Sequence, residues 1–287
     1  MEGIFKMNKL KSLIKSIDTA WESTFFYRKL GLSGFALKLI ACLTMVIDHA
    51  AIVLVRPYAD MNVGNMPFER FEFLYFTLYD LMRAVGRIAF PIFCFLLVEG
   101  FLHTKNFGKY ALNLLVTGII AEPVFDLVLF DSFPDFTHQN TLFTLLIGLC
   151  CIHLLDSLIR RRYSVLQKLG KPGIFVLCII AIAGSMAISY YLYTDYGHRS
   201  AEGFFLQGRG VLAIVLLYLF HDSKIAQSVI GNLPFEYEPA AFFSILPMML
   251  YNKKRGFTSK LVKYGFYAFY PLHLMLLYII AVLQGCR

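Results

Sequence analysis

The stretch FALKLIACLTMVIDHAAIVLV, residues 35–55, decides the fold class of this chain. It is apolar over its whole length except for a few polar positions, among them Lys38, Asp48 and His49. A helix of about 20 such residues is long enough to cross the hydrocarbon core of a bilayer. The stretch therefore predicts a membrane-spanning helix, and similar runs follow at residues 81–101, 110–130, 141–158, 174–193, about 204–220 and 264–283.

The composition of the whole chain supports the same fold class. Of 287 residues 58% are apolar and only 16% are charged, and the mean hydropathy is +0.62. Soluble domains contain about 25% charged residues, and a soluble protein of this size has too little interior to bury so much apolar surface. We therefore predict an all-α, polytopic helical membrane protein with about eight or nine transmembrane segments, some of them short or broken.

The broken segments are expected between residues 225 and 251. Gly231, Pro234, Pro239 and Pro247 interrupt the apolar pattern there, and proline ends helices because it lacks the backbone N–H. Two short or re-entrant helices fit this region better than one straight span. The six cysteines form no CxxC pair and mostly lie in apolar runs, so they indicate neither a metal site nor a disulfide framework.

The net charge of +8 comes from Lys and Arg residues that cluster between the apolar runs. If the amino terminus is cytoplasmic, 19 of them lie on the inner side and 5 on the outer side. This asymmetry is the positive-inside pattern of membrane proteins and does not indicate binding to nucleic acid. Residues 1–34 have apolar side chains at helical spacing beside lysines, which predicts a basic amphipathic helix on the inner leaflet in contact with membrane lipids. Residues 35–287 form the multi-span domain.

Several ionisable residues lie inside the predicted spans, where each costs at least about 2.5–3.5 kcal/mol. Arg83 and Arg87 share one helical face, as do Glu122 and Asp126. Counted from the turn near Lys105, the two pairs reach similar depths. This geometry predicts an Arg–carboxylate network across a helical hairpin, which either serves function or merely pins the two helices together.

Other polar residues leave more than one interpretation open. Asp48 and His49 are neighbours, so their side chains diverge by about 100° around the helix, and one of them is expected to bridge to an adjacent helix. His273 is either a second functional histidine or a group bonded to a carbonyl freed by Pro271. Asn140 fits a helix cap, and Asp195 fits an Asx-turn.

Motifs along nearly the whole chain resemble the TraX family of bacterial membrane proteins. They are Leu37–Ala41 with Thr44-Met45 and Asp48-His49, Gly86–Phe93, Leu97–Phe101 with His103-Thr104, Glu122-Pro123 with Phe125–Leu127, Asn140 with Phe143–Leu145, Asp195–Gly197, Tyr251-Asn252 and Phe269–Leu274. The family includes a conjugation protein that acetylates the amino terminus of pilin, and it is similar in outline to acyltransferase-3 membrane proteins.

The resemblance implies a multi-pass acetyltransferase of the bacterial inner membrane with acetyl-CoA as the acyl donor. The acceptor stays open between a pilin-like peptide, a glycan and a lipid. The implied catalytic residues are a general base, His49, with Asp48, Arg87, Glu122, Asp126 and His273. The implied substrate-binding residues are Arg83, Asn140, Asp195 and Tyr270, and the implied docking points for the CoA phosphates are Arg160, Arg161, Lys253 and Arg255. No metal is implied.

A transporter or lipid flippase is the main alternative, because broken helices and intramembrane charges are also typical of transporters. The sequence shows no inverted repeat, which weighs against this class. A membrane scaffold for secretion would have no need of a buried Asp-His pair.

Overall fold

The computed structural model describes residues 2–135, 138–193 and 201–286, and within these ranges the chain is helical. Its helices are α1 (Glu2–Ser23), α2 (Phe25–Leu30), α3 (Gly34–Met61), α4 (Phe68–His103), α5 (Phe107–Phe130), α6 (Thr141–Ile159), α7 (Ser164–Gln167), α8 (Lys171–Tyr193), α9 (Ala201–Leu219), α10 (Lys224–Ile230), α11 (Ile245–Met249) and α12 (Lys260–Leu283). Helices α3 and α4 each contain one widened, π-helical turn, at Ala51–Val55 and Phe73–Leu78.

Six helices of the described part are long and apolar enough to cross a membrane, namely α3, α4, α5, α6, α8 and α12. Two shorter apolar helices, Gly208–Leu219 within α9 and Pro239–Met249, accompany them. The predicted all-α membrane fold is therefore confirmed. The prediction was about eight or nine segments; the described part has six long helices, and the two shorter ones raise the number to eight.

The outward faces of the long helices are apolar at helical spacing. On α5 these exposed side chains are Leu112, Leu115, Val116, Ile119 and Ile120, and α8 and α12 carry similar rows. Lipid acyl chains solvate such a surface, whereas water does not. The exposure pattern thus places the lipid around the bundle, and the polar side chains of the spans are directed inward.

Residues 224–251 form the predicted re-entrant segment. Both of its ends lie beside the amino-terminal region, where Leu32 N donates to the carbonyl of Leu250 (2.8 Å) and Asn252 N donates to the carbonyl of Leu32 (2.9 Å). Its middle reaches far into the bundle, where Phe235 packs edge-on against Phe90 of α4. The segment enters and leaves on the same side of the bundle, as expected of short or re-entrant helices. Besides α10 and α11 it contains two 3-10 helices, Leu233–Phe235 and Pro239–Ser244.

The end of α1 is docked on this re-entrant segment. Trp21 Nε1 donates to the carbonyl of Met249 (2.9 Å), and Asp18 accepts from the backbone N–H of Ile225 (3.1 Å). The buried Lys224 ammonium binds Glu22 (3.0 Å) and donates to the hydroxyl of Tyr27 (2.6 Å). Residues 2–23 are thus helical as predicted, while their position on the inner leaflet stays a prediction.

Two hydrophobic clusters frame the interior. The larger cluster joins α3, α4, α6 and α9 and includes Phe95, Leu149 and Ile214. The second joins α5 and α12 to the far half of α3 and includes Phe125 and Leu274. Residues at the edges of both clusters line the cavity that contains the candidate site.

Candidate functional site

A cavity of about 550 Å³ lies between the helices at the depth of the polar residues of α3. Helices α3, α4, α5, α6, α9 and α12 line it together with the tip of the re-entrant segment. Its polar lining residues are Asp48, His49, Arg83, Arg87, Thr141, Thr144, Arg209, Glu238 and Tyr270, and aromatic side chains supply much of the rest. Five of the residues predicted from the sequence therefore converge on one intramembrane space.

His49 and His273 form a hydrogen-bonded pair between α3 and α12. The distance from His49 Nδ1 to His273 Nε2 is 2.7 Å, and the two rings are stacked with an interplanar angle of 22°. His273 Nδ1 lies 2.8 Å from the carbonyl oxygen of Phe269. A carbonyl only accepts hydrogen bonds, so Nδ1 of His273 carries the proton in the neutral ring and its Nε2 is an acceptor.

This arrangement assigns the tautomer of His49 as well. In the neutral pair the Nδ1–H of His49 donates to His273, which leaves Nε2 as the nitrogen of His49 with an available lone pair. His49 lines the cavity, whereas His273 lies behind it. A π-helical turn begins at Ala51, two residues further along α3, and such turns recur at functional sites. The pair can therefore present one basic nitrogen to a molecule in the cavity.

A functional role of His273 as a second histidine stays a prediction. Its side chain is bonded to His49 and to a backbone carbonyl, although not to the carbonyl of Tyr267 that Pro271 frees. The bonded carbonyl is that of Phe269, one turn before His273. The partner of His49 is His273, and the carboxylate of Asp48 is directed to a different helix.

Asp48 binds Arg83 of α4, with 2.5 Å between Oδ2 and Nη1. The bridge from α3 to an adjacent helix was predicted, although the partner was not. Gly86 makes it feasible, because a Cβ on this residue would collide with the side chain of Asp48. The second oxygen of Asp48, Oδ1, is buried and has no hydrogen-bond partner in the described structure. Asp48 and Arg83 therefore depend on a close approach of α3 and α4.

Substituting alanine at Gly86 should disrupt this contact. We expect Gly86→Ala to push α3 and α4 apart and to lower stability by about 1–3 kcal/mol, the usual cost of overpacking. The unfolding midpoint of the detergent-purified protein measures the effect. Gly265→Ala is the matched control, because a Cβ there meets nothing within 4 Å. Equal midpoints for the two variants would contradict the close approach.

The re-entrant segment adds two polar residues that sequence analysis did not assign. Glu238 forms an ion pair with Arg87 at 3.3 Å, and Tyr237 stacks against Arg209 of α9, whose guanidinium carbon lies 4.0 Å from the ring centroid. The position of Arg209 inside the apolar run 204–220 was the signal that could have identified it. Glu238 carries no such signal, because its depth depends on the path of the re-entrant segment.

The predicted network between the arginines of α4 and the carboxylates of α5 is wrong. Glu122 accepts from the side-chain amide and the backbone N–H of Asn140, and Asp126 accepts from the backbone N–H of Asp135 at 3.0 Å. The arginines of α4 and the carboxylates of α5 lie at similar depths, but they do not meet, because the two helices are rotated so that these side chains point in different directions. Glu122 and Asp126 organise the connection between α5 and α6 and do not line the cavity.

Three other residues predicted for the site are Asn140, Tyr270 and Asp195. Asn140 caps α6 as expected, since its side chain accepts from the backbone N–H of Leu142. Tyr270 lines the cavity, and its hydroxyl lies 3.4 Å from that of Thr141. Asp195 lies outside the described residues.

The basic residues predicted to dock CoA lie away from the cavity lining. Arg160 binds the buried carboxylate of Asp156 at 2.7 Å, and this carboxylate also binds Arg162 and accepts from the hydroxyl of Tyr218. A structural role therefore accounts for Arg160. At turns between helices, Lys253 and Arg255 are exposed and Arg161 is partly exposed. Within the described ranges, no group of His, Cys, Asp or Glu side chains could hold a metal ion.

Comparison with known proteins gives two matches. The model of the family described as TraX protein matches residues 33–281. The "Probable fimbrial assembly protein FimC, serogroup H1" of Dichelobacter nodosus is 31% identical over 265 residues, which are 87% of this chain and 96% of the relative. No solved structure matches the chain.

The range matched by the family model includes the residues that line the cavity. The family match begins just before α3 and ends within α12, so it includes both histidines of the pair and Asp48 with its partner on α4. It leaves out most of the amino-terminal segment that docks on the outside of the re-entrant segment. A match over this length cannot arise from shared hydrophobicity in one or two spans, and the chain belongs to the TraX family.

Proposed function

We propose that this protein is a membrane-embedded acetyltransferase that moves an acetyl group from acetyl-CoA to an amine or hydroxyl of an acceptor. The observation that carries the proposal is the His49–His273 pair, which leaves one basic nitrogen at an intramembrane cavity. Burying two histidines in membrane spans has an energetic cost, and ionisable residues in such positions usually mark a functional site. The family supports a role related to pili, since its relative is named as a fimbrial assembly protein.

In the proposed reaction the acceptor nitrogen or oxygen attacks the carbonyl carbon of the thioester. Nε2 of His49 accepts the proton that the acceptor loses, and the thiolate of CoA leaves when the tetrahedral intermediate collapses. The proton then passes from His49 to the thiolate, so the enzyme returns to its starting state. The guanidinium of Arg87 stabilises the oxyanion of the intermediate, and Arg83 with Asp48 holds α4 in place beside it.

The proposal includes an orientation of the protein in the membrane. The basic turns belong to the inner side of a bacterial inner membrane, with the amino terminus in the cytoplasm. Arg161, Lys253 and Arg255 are the candidate contacts for the phosphates of acetyl-CoA. The acceptor stays open between a pilin-like peptide, a glycan and a lipid.

Labelled acetyl-CoA tests the proposal. Membranes that contain the protein should transfer the label to one acceptor, and release of the CoA thiol should accompany this transfer at equal stoichiometry. Membranes with His49→Ala protein at the same expression level serve as the control and should lack both signals. If the correctly inserted protein labels no acceptor and releases no CoA thiol from acetyl-CoA, the proposal is rejected.

Transport is the second candidate, and the re-entrant segment favours it, since broken helices beside intramembrane charges are typical of transporters. Proteoliposomes without acetyl-CoA separate the two functions. Movement of a lipid or solute across these vesicles would support transport, whereas a requirement for acetyl-CoA supports the transferase.

A further inference from the structure

The charges that line the cavity do not balance. Three arginines, Arg83, Arg87 and Arg209, face the space together with two carboxylates, Asp48 and Glu238. Arg83 is paired with Asp48 and Arg87 with Glu238, whereas Arg209 has no carboxylate partner among the described residues. Within the described part of the chain, its guanidinium stacks on the ring of Tyr237. The lining therefore carries one excess positive charge.

An unbalanced charge at this depth is expensive. An arginine near the centre of a bilayer costs at least about 2.5–3.5 kcal/mol, and such residues pair with other groups or line a functional pathway. The stack on Tyr237 holds the guanidinium in place, since cations bind to aromatic faces, but it leaves the hydrogen-bond donors at the edge of the guanidinium group available. The position of Arg209 thus suits the binding of an anion in the cavity.

Arg87 belongs to the same anion site. Its pair with Glu238 is open, at 3.3 Å and with both side chains more than one third exposed, so an incoming anion can take the place of Glu238. Two guanidinium forks on different helices suit a group with several acceptor oxygens. A phosphate group offers more acceptor oxygens than the two of a carboxylate, so it can accept from two guanidinium groups that approach from different helices.

We propose that Arg209 and Arg87 bind a phosphate group of the acceptor. Glu238 at the tip of the re-entrant segment lines this site, and Tyr237 beside it supports the guanidinium of Arg209. Only the identification of the bound molecule as the acceptor rests on the proposed function. The binding of phosphate itself requires no acetyl transfer. The phosphate belongs either to a membrane-embedded molecule or to one that arrives from water.

Ligand-induced stabilisation tests the site without acetyl-CoA. A ligand that binds only the folded state raises the unfolding midpoint, so the purified protein in neutral detergent is titrated with octyl phosphate, inorganic phosphate, octanoate and octyl glucoside. We expect octyl phosphate to stabilise the protein more than octyl glucoside does. Stabilisation by octyl phosphate alone assigns a membrane-embedded source, and equal stabilisation by inorganic phosphate assigns a water-soluble one.

Variants show whether the effect comes from this site. Arg209→Ala should weaken the binding of octyl phosphate about tenfold or more, because a hydrogen-bonded charge contact is lost, and Arg209→Lys should retain part of it. Arg56→Ala is the matched control, since Arg56 also stacks on a tyrosine, Tyr75, at 3.7 Å but lies outside the cavity lining. His49→Ala should bind octyl phosphate normally, which separates this test from that of the transferase.

Three results would overturn the proposal. They are the absence of stabilisation by either phosphate, equal binding to the wild type and to the folded Arg209→Ala variant, and stabilisation by octanoate at concentrations where octyl phosphate has no effect. A protein that binds octyl phosphate through Arg209 but never transfers acetyl groups would refute the transferase and leave the phosphate site standing.

Discussion

Replacing His49 by alanine should reduce the rate of acetyl transfer by about 10²–10⁴-fold, the range that a positioned general base contributes. The effect is large because the free nitrogen of the pair, Nε2 of His49, is lost and no other histidine of the described residues lines the cavity. The measurement is the release of CoA thiol by purified protein at saturating acceptor. His221→Ala is the control, since His221 bonds to the carbonyl of Tyr218 outside the cavity.

Variants of His273 test the tautomer that underlies this expectation. His273 is a positioning residue, because it acts through Nδ1 of His49 and does not line the cavity. His273→Leu removes the acceptor and should lower the rate by about tenfold, while His273→Gln supplies a carbonyl oxygen that accepts the same hydrogen bond and should restore part of it. Full activity in folded His49→Ala protein, or identical rates for the two His273 variants, would contradict the assignment.

Replacing Arg83 by methionine should produce the largest loss of stability. Removing one member of a buried ion pair costs about 3–5 kcal/mol, because the other charge stays behind without compensation. The pair lies at the wall of the cavity, with 21% and 16% of its side chains exposed, so we expect a value near the lower end. The measurement is the free energy of unfolding in mixed micelles of neutral detergent and SDS.

The double variant Arg83→Met with Asp48→Asn distinguishes this cause from lost packing. It removes both charges and nearly preserves both shapes, so most of the lost stability should return. Arg56→Met is the matched control, because its partner Asp60 is 57% exposed at 3.9 Å and such pairs contribute at most about 1 kcal/mol. A double variant as unstable as Arg83→Met alone would show that the ion pair is not the cause.

The sequence identified most residues of the site but assigned several wrong partners. Asp48 and His49 were identifiable because an ionisable pair inside an apolar helix has an energetic cost that needs an explanation. The expected network between the arginines of α4 and the carboxylates of α5 failed because equal depth along two helices does not fix how each helix is rotated about its axis. Glu238 could not be found at all, since its position depends on how a proline-rich segment folds back into the bundle.

The amino-acid sequence by itself determined the membrane class, the positions of the long spans and the re-entrant character of residues 224–251. These features follow from local physics, because apolar length and proline positions act within one segment of chain. Only the tertiary structure decided that His49 pairs with His273, that Asp48 pairs with Arg83, and that no carboxylate of the described residues pairs with Arg209. Such contacts join residues far apart in the chain, and they depend on the rotation and close approach of packed helices, which no local pattern encodes.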